Sequence, residues 1–234
     1  MRIEIWSDVV CPWCYIGKRR LEEALEAFPQ RDEVEIVWRS YQLDPTAPKV
    51  ATESIASALG RKYGGGEDAG RQMVEQMQQV AQEVGLDYTR YPEAKRVSTV
   101  DAHRLLHAAG ARRPELKEAL LQAYFVEARN VADHDELVAI ASEVGLAEDD
   151  VRRVLGSDEH LTDVEEDIDA AQDLGAQGVP FFVIDRRLAI SGAQPVEVFA
   201  RALEQARAAA SPLTAVGGAA EDGSSGVCGP DGCS

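Results

Sequence analysis

Apolar and polar positions alternate from residue 2 to residue 6, the two-residue period of a half-buried strand. Cys11 then opens a helix with Pro12 in its first position, where a missing N–H costs nothing. Leu21, Ala24, Leu25 and Phe28 recur at helical spacing until Pro29 stops the run, and residues 34–38 predict a second strand. The chain thus begins strand, helix, strand. After the linker Asp44-Pro45-Thr46-Ala47-Pro48 the pattern turns helical and stays so from about residue 53 to 174. Met73, Met77, Val80 and Val84 mark one apolar stripe; Leu116, Leu120, Tyr124 and Ala128 mark a second; Leu137, Ile140, Ala141 and Val144 mark a third. Gly85-Leu86 and Gly145-Leu146 each pair a glycine with an apolar residue at the end of a stripe, which predicts Schellman-type helix stops. Strands return at residues 179–185 and 188–191, with a hairpin expected over Arg186-Arg187, and a helix follows over about residues 195–209. From residue 211 the chain is rich in Gly, Ser and Ala and reads as a flexible tail.

A chain of 234 residues can bury one large core together with a sizeable inserted unit. Its 45% hydrophobic and 28% charged content is that of an ordinary globular protein. The formal net charge of −17 changes the picture more, because such a surface repels phosphate backbones and anionic lipid. Neither nucleic acid nor membrane is therefore expected as a partner, and no apolar run approaches the length that spans a bilayer. The N-terminus enters strand alternation without an apolar leader region, so no secretory signal is expected and the expected location is the cytoplasm. Four cysteines are too few for a disulfide scaffold; in a reducing compartment, paired cysteines point to redox chemistry or metal.

Two of the four form Cys11-Pro12-Trp13-Cys14. A helix N-terminus stabilises a thiolate, so Cys11 is expected to be the more acidic thiol and the nucleophile, with Cys14 one turn in to resolve a mixed disulfide. A zinc site would need two further ligands at similar spacing; none is nearby in sequence, and no metal is expected. Asp8 and Glu4 are the acids nearest the pair and are candidate proton relays to Cys14. Solvated loop or strand-edge positions are nevertheless the expectation for both. His103 and His107 lie four apart on one helical face and are expected to pack or hydrogen-bond rather than hold metal. Cys228 and Cys233 flank Gly-Pro-Asp-Gly, a turn former that would bring the two thiols together.

Cys11-Pro12-Trp13-Cys14, Asp101-Ala102-His103-Arg104-Leu105-Leu106-His107, Gly178-Val179-Pro180-Phe181-Phe182-Val183 and Ser191-Gly192-Ala193-Gln194-Pro195 occur in that order. Over about residues 2–208, they make the chain resemble the FrnE-like branch of the DsbA family. The resemblance implies an α/β, thioredoxin-like fold with a large helical insertion. The thioredoxin-like domain would be formed by residues 1–45 and 163–210, the inserted helical domain by 46–162, and the flexible tail by 211–234. It also implies a thiol–disulfide oxidoreductase with catalytic Cys11 and Cys14, and with Pro180 as a cis-proline facing the dithiol. Val179 would offer its backbone to an extended substrate, and Trp13 is a candidate apolar contact. Some FrnE-like proteins carry a second motif like that of the tail, which implies an auxiliary redox role for Cys228 and Cys233. No cofactor is called for; the implied partners are disulfide-containing proteins and, as reductant, glutathione or a thioredoxin-type protein. Reducing surroundings favour a reductase or isomerase over a net oxidant. A related branch, the kappa-class glutathione transferases and 2-hydroxychromene-2-carboxylate isomerases, shares the fold but typically has serine at the first motif position. Two cysteines argue against that alternative. A non-catalytic metal–thiolate protein is a third reading, weakened by having only two ligands per motif.

Overall fold

A computed structural model describes residues 1–210 of the chain. The alternating N-terminal segment forms β1 (Arg2–Ser7) at the centre of a four-stranded sheet. β1 pairs in parallel with β2 (Glu35–Ser40) and antiparallel with β3 (Phe181–Ile184), which pairs antiparallel with β4 (Leu188–Ser191). The sheet order is therefore β2-β1-β3-β4. Two-residue alternation sends Ile3, Ile5 and Phe182 to one face, where they meet α1 (Pro12–Glu26) and α9 (Val196–Ala210) through Leu21, Phe199 and Leu203. Trp6, Phe181 and Val183 fill the other face against Ala171 of α8 (Leu161–Asp173). α8 is fastened there by Asp167. Its carbonyl accepts from Trp6 Nε1 at 2.6 Å, and its carboxylate accepts from the backbone N–H of Ser40 at 2.8 Å and from Arg39 at 3.0 Å.

Between β2 and α8 the chain builds α2 (Ile55–Tyr63), α3 (Gly66–Glu83), α4 (Val100–Ala108), α5 (Arg113–Phe125), α6 (His134–Glu143) and α7 (Glu148–Leu155). Their shared core includes Tyr88, Leu105, Leu120, Phe125 and Ile140, and it reaches the start of α1 through Val9, Tyr15 and Ile16. The first turn of α1 thus lies where the sheet and the helical layer meet. α2 and α3 cross so closely that a Cβ at Gly70 would fall 1.9 Å from the Ala56 carbonyl oxygen. Among the described residues no helix is long and apolar enough to cross a membrane.

Both expected Schellman stops form. Leu86 N–H donates to the Ala81 carbonyl at 3.0 Å and Leu146 N–H to the Ala141 carbonyl at 3.0 Å, with Gly85 and Gly145 at φ 75° and 86°. Four details differ from the sequence pattern. β3 begins at Phe181, two residues later than expected, because the Val179–Pro180 peptide is cis and Pro180 has no N–H for the ladder. The hairpin turns over Asp185-Arg186, with φ 48° and 53°, and Arg187 N–H closes it on the Ile184 carbonyl at 3.0 Å. α5 ends at Phe125, so Ala128 falls outside it, in a left-handed conformation at φ 56°. In α3 the deepest positions are Gly70, Val74 and Ala81, while Met73, Met77 and Val80 are half-buried.

Candidate active site

The end of β1 runs into a turn over Asp8, and Cys11 N–H reaches back to the Asp8 carbonyl at 3.4 Å. Cys11 is extended (φ −92°, ψ 113°) and occupies the N-cap of α1, with no side-chain cap and no acidic residue in the first turn. Its sulfur therefore stands at the positive end of the helix, with no carboxylate in that turn to compete. The Cys11 thiol donates to the Val179 carbonyl at 3.4 Å. Gly17, one turn beyond Cys14, lets α1 approach the cis-proline: a Cβ there would lie 3.0 Å from Pro180 Cγ and 3.3 Å from Phe182 Cζ. The structure thus brings Cys11, Cys14, Val179 and Pro180 together, with both cysteines as free, buried thiols.

The two sulfurs face different surroundings. Cys11, Trp13 and Val179 line a cavity of about 640 Å³ whose far wall is built by α2, α3 and α5. Its surface is mostly apolar, with Leu59, Met73, Met77, Tyr91 and Tyr124 in the lining. Three of the chain's exposed large hydrophobic residues, Trp13 (38%), Leu43 (37%) and Tyr63 (63%), stand around it. Cations on the rim are Arg61, paired with Glu53 at 2.9 Å, Arg96, paired with Asp44 at 2.7 Å, and Lys62, whose ammonium lies 5.5 Å from the Tyr63 ring centre.

Cys14 is absent from that lining and points into a buried polar cluster. Lys117 of α5 is only 1% exposed, and its ammonium donates to the Ser7 carbonyl at 3.2 Å. Asp8 is also buried: its carboxylate accepts from Leu43 N–H at 2.7 Å and lies 3.1 Å from His103 Nε2. Burial opposes ionisation of Asp8, but the hydrogen bond from His103, then Leu43 N–H and the Lys117 charge, hold its carboxyl below the ordinary range. Burial pushes His103 down and keeps the ring neutral, against the opposing pull of Asp8. Nε2–H then donates to Asp8, and Nδ1 has no partner. Burial also lowers the Lys117 ammonium, to about 8.

The thiols titrate as a pair. The hydrogen bond with Cys14, then burial, then a negative charge on Cys14 push Cys11 well above the usual thiol value. Burial opposes ionisation of Cys14, but the Cys11 thiol, the Lys117 charge and the Ser7 hydroxyl together bring it down. The helix terminus favours negative charge at Cys11, whereas the Cys11 hydrogen bond and the buried Lys117 favour it at Cys14. Cys11 remains the sulfur that opens to the cavity.

The acids also differ from expectation, since neither Asp8 nor Glu4 is solvated. Glu4 is buried on the α8 face of the sheet, remote from α1, and accepts from Arg39 at 2.7 Å and Arg186 at 3.0 Å. His107, as expected of a packing histidine, sits 3.1 Å from both Ser40 Oγ and the Asp167 carboxylate. Among the described residues no group of histidines, cysteines and acids is arranged to hold a metal ion. Lys117 and Gly17 were missed by sequence reading. Lys117 was legible in principle, as a lysine sharing a helical face with Leu120, Leu121 and Tyr124, all of them buried. Cys228 and Cys233 lie outside the described residues.

The sequence pattern of the DSBA-like thioredoxin domain matches residues 2–204. The chain is similar to a probable DsbA oxidoreductase of Streptomyces coelicolor, at 42% identity, covering 100% of this chain and 98% of that one, with a TM-score of 0.86. It is 27% identical to the protein YwbO of Bacillus subtilis (strain 168) over 87% of this chain and 96% of that one. The cytosolic disulfide reductase DsbM of Pseudomonas aeruginosa, in a structure with GSH, shares the fold at 20% identity and a TM-score of 0.62, over 88% of this chain and 100% of that one.

Proposed function

The chain belongs to the DsbA-like thioredoxin-domain family, and from that premise we propose that it is a cytoplasmic disulfide reductase or isomerase whose redox pair is Cys11 and Cys14. One observation carries the reading: Cys11 lines an open apolar cavity while Cys14 sits directly behind it, out of contact with that cavity. Cys11 passes its proton to the Cys14 thiolate and attacks a substrate disulfide; its sulfur bonds to one substrate sulfur, and the other leaves as a thiolate and takes that proton from Cys14. Cys14, as thiolate, then attacks the Cys11 sulfur, forming the Cys11–Cys14 disulfide and releasing the second substrate thiolate. The substrate gains two electrons and the dithiol loses two. A thiol reductant, glutathione or a thioredoxin-type protein, returns them; DsbM, a cytosolic member of the same fold, is described with GSH.

Disulfide-containing proteins are the proposed substrates. The apolar rim of Trp13, Leu43 and Tyr63 suits a partly unfolded polypeptide, and the half-buried Val179, which lines the cavity next to Pro180, suits an extended one. The helices of residues 46–162, the proposed inserted domain, supply the wall opposite the sulfur. Reduction of insulin disulfides tests the proposal. The protein is expected to turn insulin over with a thiol reductant, Cys11→Ser to abolish turnover, and Cys14→Ser to lose most of it. Full turnover without Cys11 would overturn the assignment.

A further inference from the structure

Lys117 is a buried cation near the dithiol that the reaction as written does not use. Its ammonium has three N–H donors and one oxygen acceptor, the Ser7 carbonyl, with the Trp38 ring centre 5.7 Å away. Among the described residues, no carboxylate lies within ion-pair distance of it. Its neighbour on α5, Glu118, is held against α1 by Tyr15 at 2.6 Å, by Lys18 at 2.6 Å and by Arg19. α5 is thus locked onto the active-site helix with a lone ammonium aimed inside. An interior ammonium without an anion is costly, and a methionine would pack the same space without that penalty. Ser7 connects the charge to the dithiol: its carbonyl binds Lys117, and its hydroxyl, with no other partner, faces Cys14.

We infer that Lys117 is a positioning residue for the redox pair, reaching from α5 to hold Cys14 as the thiolate that resolves the mixed disulfide. The inference rests on the reading of Cys11 and Cys14 as that pair. The charged and titratable groups facing Lys117 are Cys14 and Cys11 at the start of α1, Asp8 in the preceding turn, Lys18 farther along α1, and neutral His103 on α4. Cys14, Asp8 and Cys11 favour its charge and Lys18 opposes it. Asp8 already accepts hydrogen bonds from His103 and Leu43, and the Cys14 thiolate is the charge that favours the ammonium most. Oxidation removes that thiolate and strands the ammonium. Lys117 therefore favours the reduced pair and makes the dithiol a stronger oxidant than it would otherwise be.

The test titrates Cys14 alone, by the ultraviolet absorbance of its thiolate in a Cys11→Ser variant. Adding Lys117→Met is expected to raise the Cys14 midpoint by about one pH unit or more, and Lys117→Arg to restore most of the difference. With both cysteines present, Lys117→Met should shift the equilibrium with glutathione toward the disulfide. Circular dichroism checks folding, and Lys117→Gln replaces the methionine variant if that one misfolds. An unchanged midpoint in a folded variant overturns the inference, as does a Cys14 midpoint at or above the ordinary thiol value with Lys117 intact. A shifted midpoint in a protein that reduces no disulfide would instead sink the functional reading and leave the electrostatic one standing.

Discussion

Asp8 lies three residues before Cys11, in a turn where a carboxylate would ordinarily meet water, yet the fold buries it against His103. Burial of this kind is a long-range property: His103 is 95 residues away and reaches Asp8 from α4. Nothing in the local pattern could reveal it, whereas Lys117 shares a helical face with the apolar Leu120, Leu121 and Tyr124, which marks it as a lysine turned inward. Cys11 and Cys14 were legible as a closely spaced pair at a helix start, whereas Pro180 was expected beside them only from the family resemblance. The buried pair has a consequence for stability. Asp8 has a lowered folded pKa, so its contribution is present above the unfolded value of about 3.9 and is lost as pH falls through the folded one. His103 is also lowered, being held neutral, so its contribution is complete above the unfolded value of about 6.5 and declines as pH falls below it. The melting temperature should accordingly begin to fall as pH drops below about 6.5, and His103→Gln should flatten that part of the profile. A parent protein whose melting temperature holds or rises down to about pH 5 would contradict this account of His103.

At the scale of elements, helix stops were readable where glycine or proline marked them, as at Gly85, Gly145 and Pro29. Gly85 and Gly145 mark their helix ends because glycine accepts a left-handed conformation freely. Ala128 adopts the same region without that signal, so the end of α5 went unread. Likewise Asp185 and Arg186 both take positive φ in the hairpin; Asp185 accepts from Arg2 N–H at 2.7 Å and Arg186 pairs with Glu4. Those tertiary partners hold a turn that sequence placed one residue later. The contact of α1 with the strand entry is the element-level feature that matters most for chemistry. A valine at position 17 would press on the Pro180 ring and Phe182, which a glycine clears. Gly17→Val should displace the start of α1 from Pro180 and lower kcat/KM for disulfide reduction by on the order of 10²-fold, with the variant still folded by circular dichroism. Undiminished kcat/KM would show that this close approach is dispensable.

For the molecule as a whole, the order of strands and helices followed from periodicity, because each core-facing stripe is local. The cavity did not, since its walls come from the start of α1, the 43–47 segment, α2, α3 and α5. Its apolar rim is the surface on which a polypeptide substrate would be recognised. Trp13→Ala and Tyr63→Ala, combined, should raise KM for reduced-and-scrambled or insulin-like protein substrates by about tenfold, the effect of ~1.4 kcal/mol of lost contact. KM for a small soluble disulfide should move little. Equal losses on both substrate types would mean that the rim acts on the dithiol itself rather than on the protein substrate. The most direct measurement of the central claim is covalent trapping with Cys14→Ala in cell extract, followed by mass spectrometry of what is bound at Cys11. The account predicts mixed disulfides between Cys11 and cellular proteins, absent from a Cys11→Ser/Cys14→Ala control; glutathione as the sole adduct, or no adduct at Cys11, would contradict it.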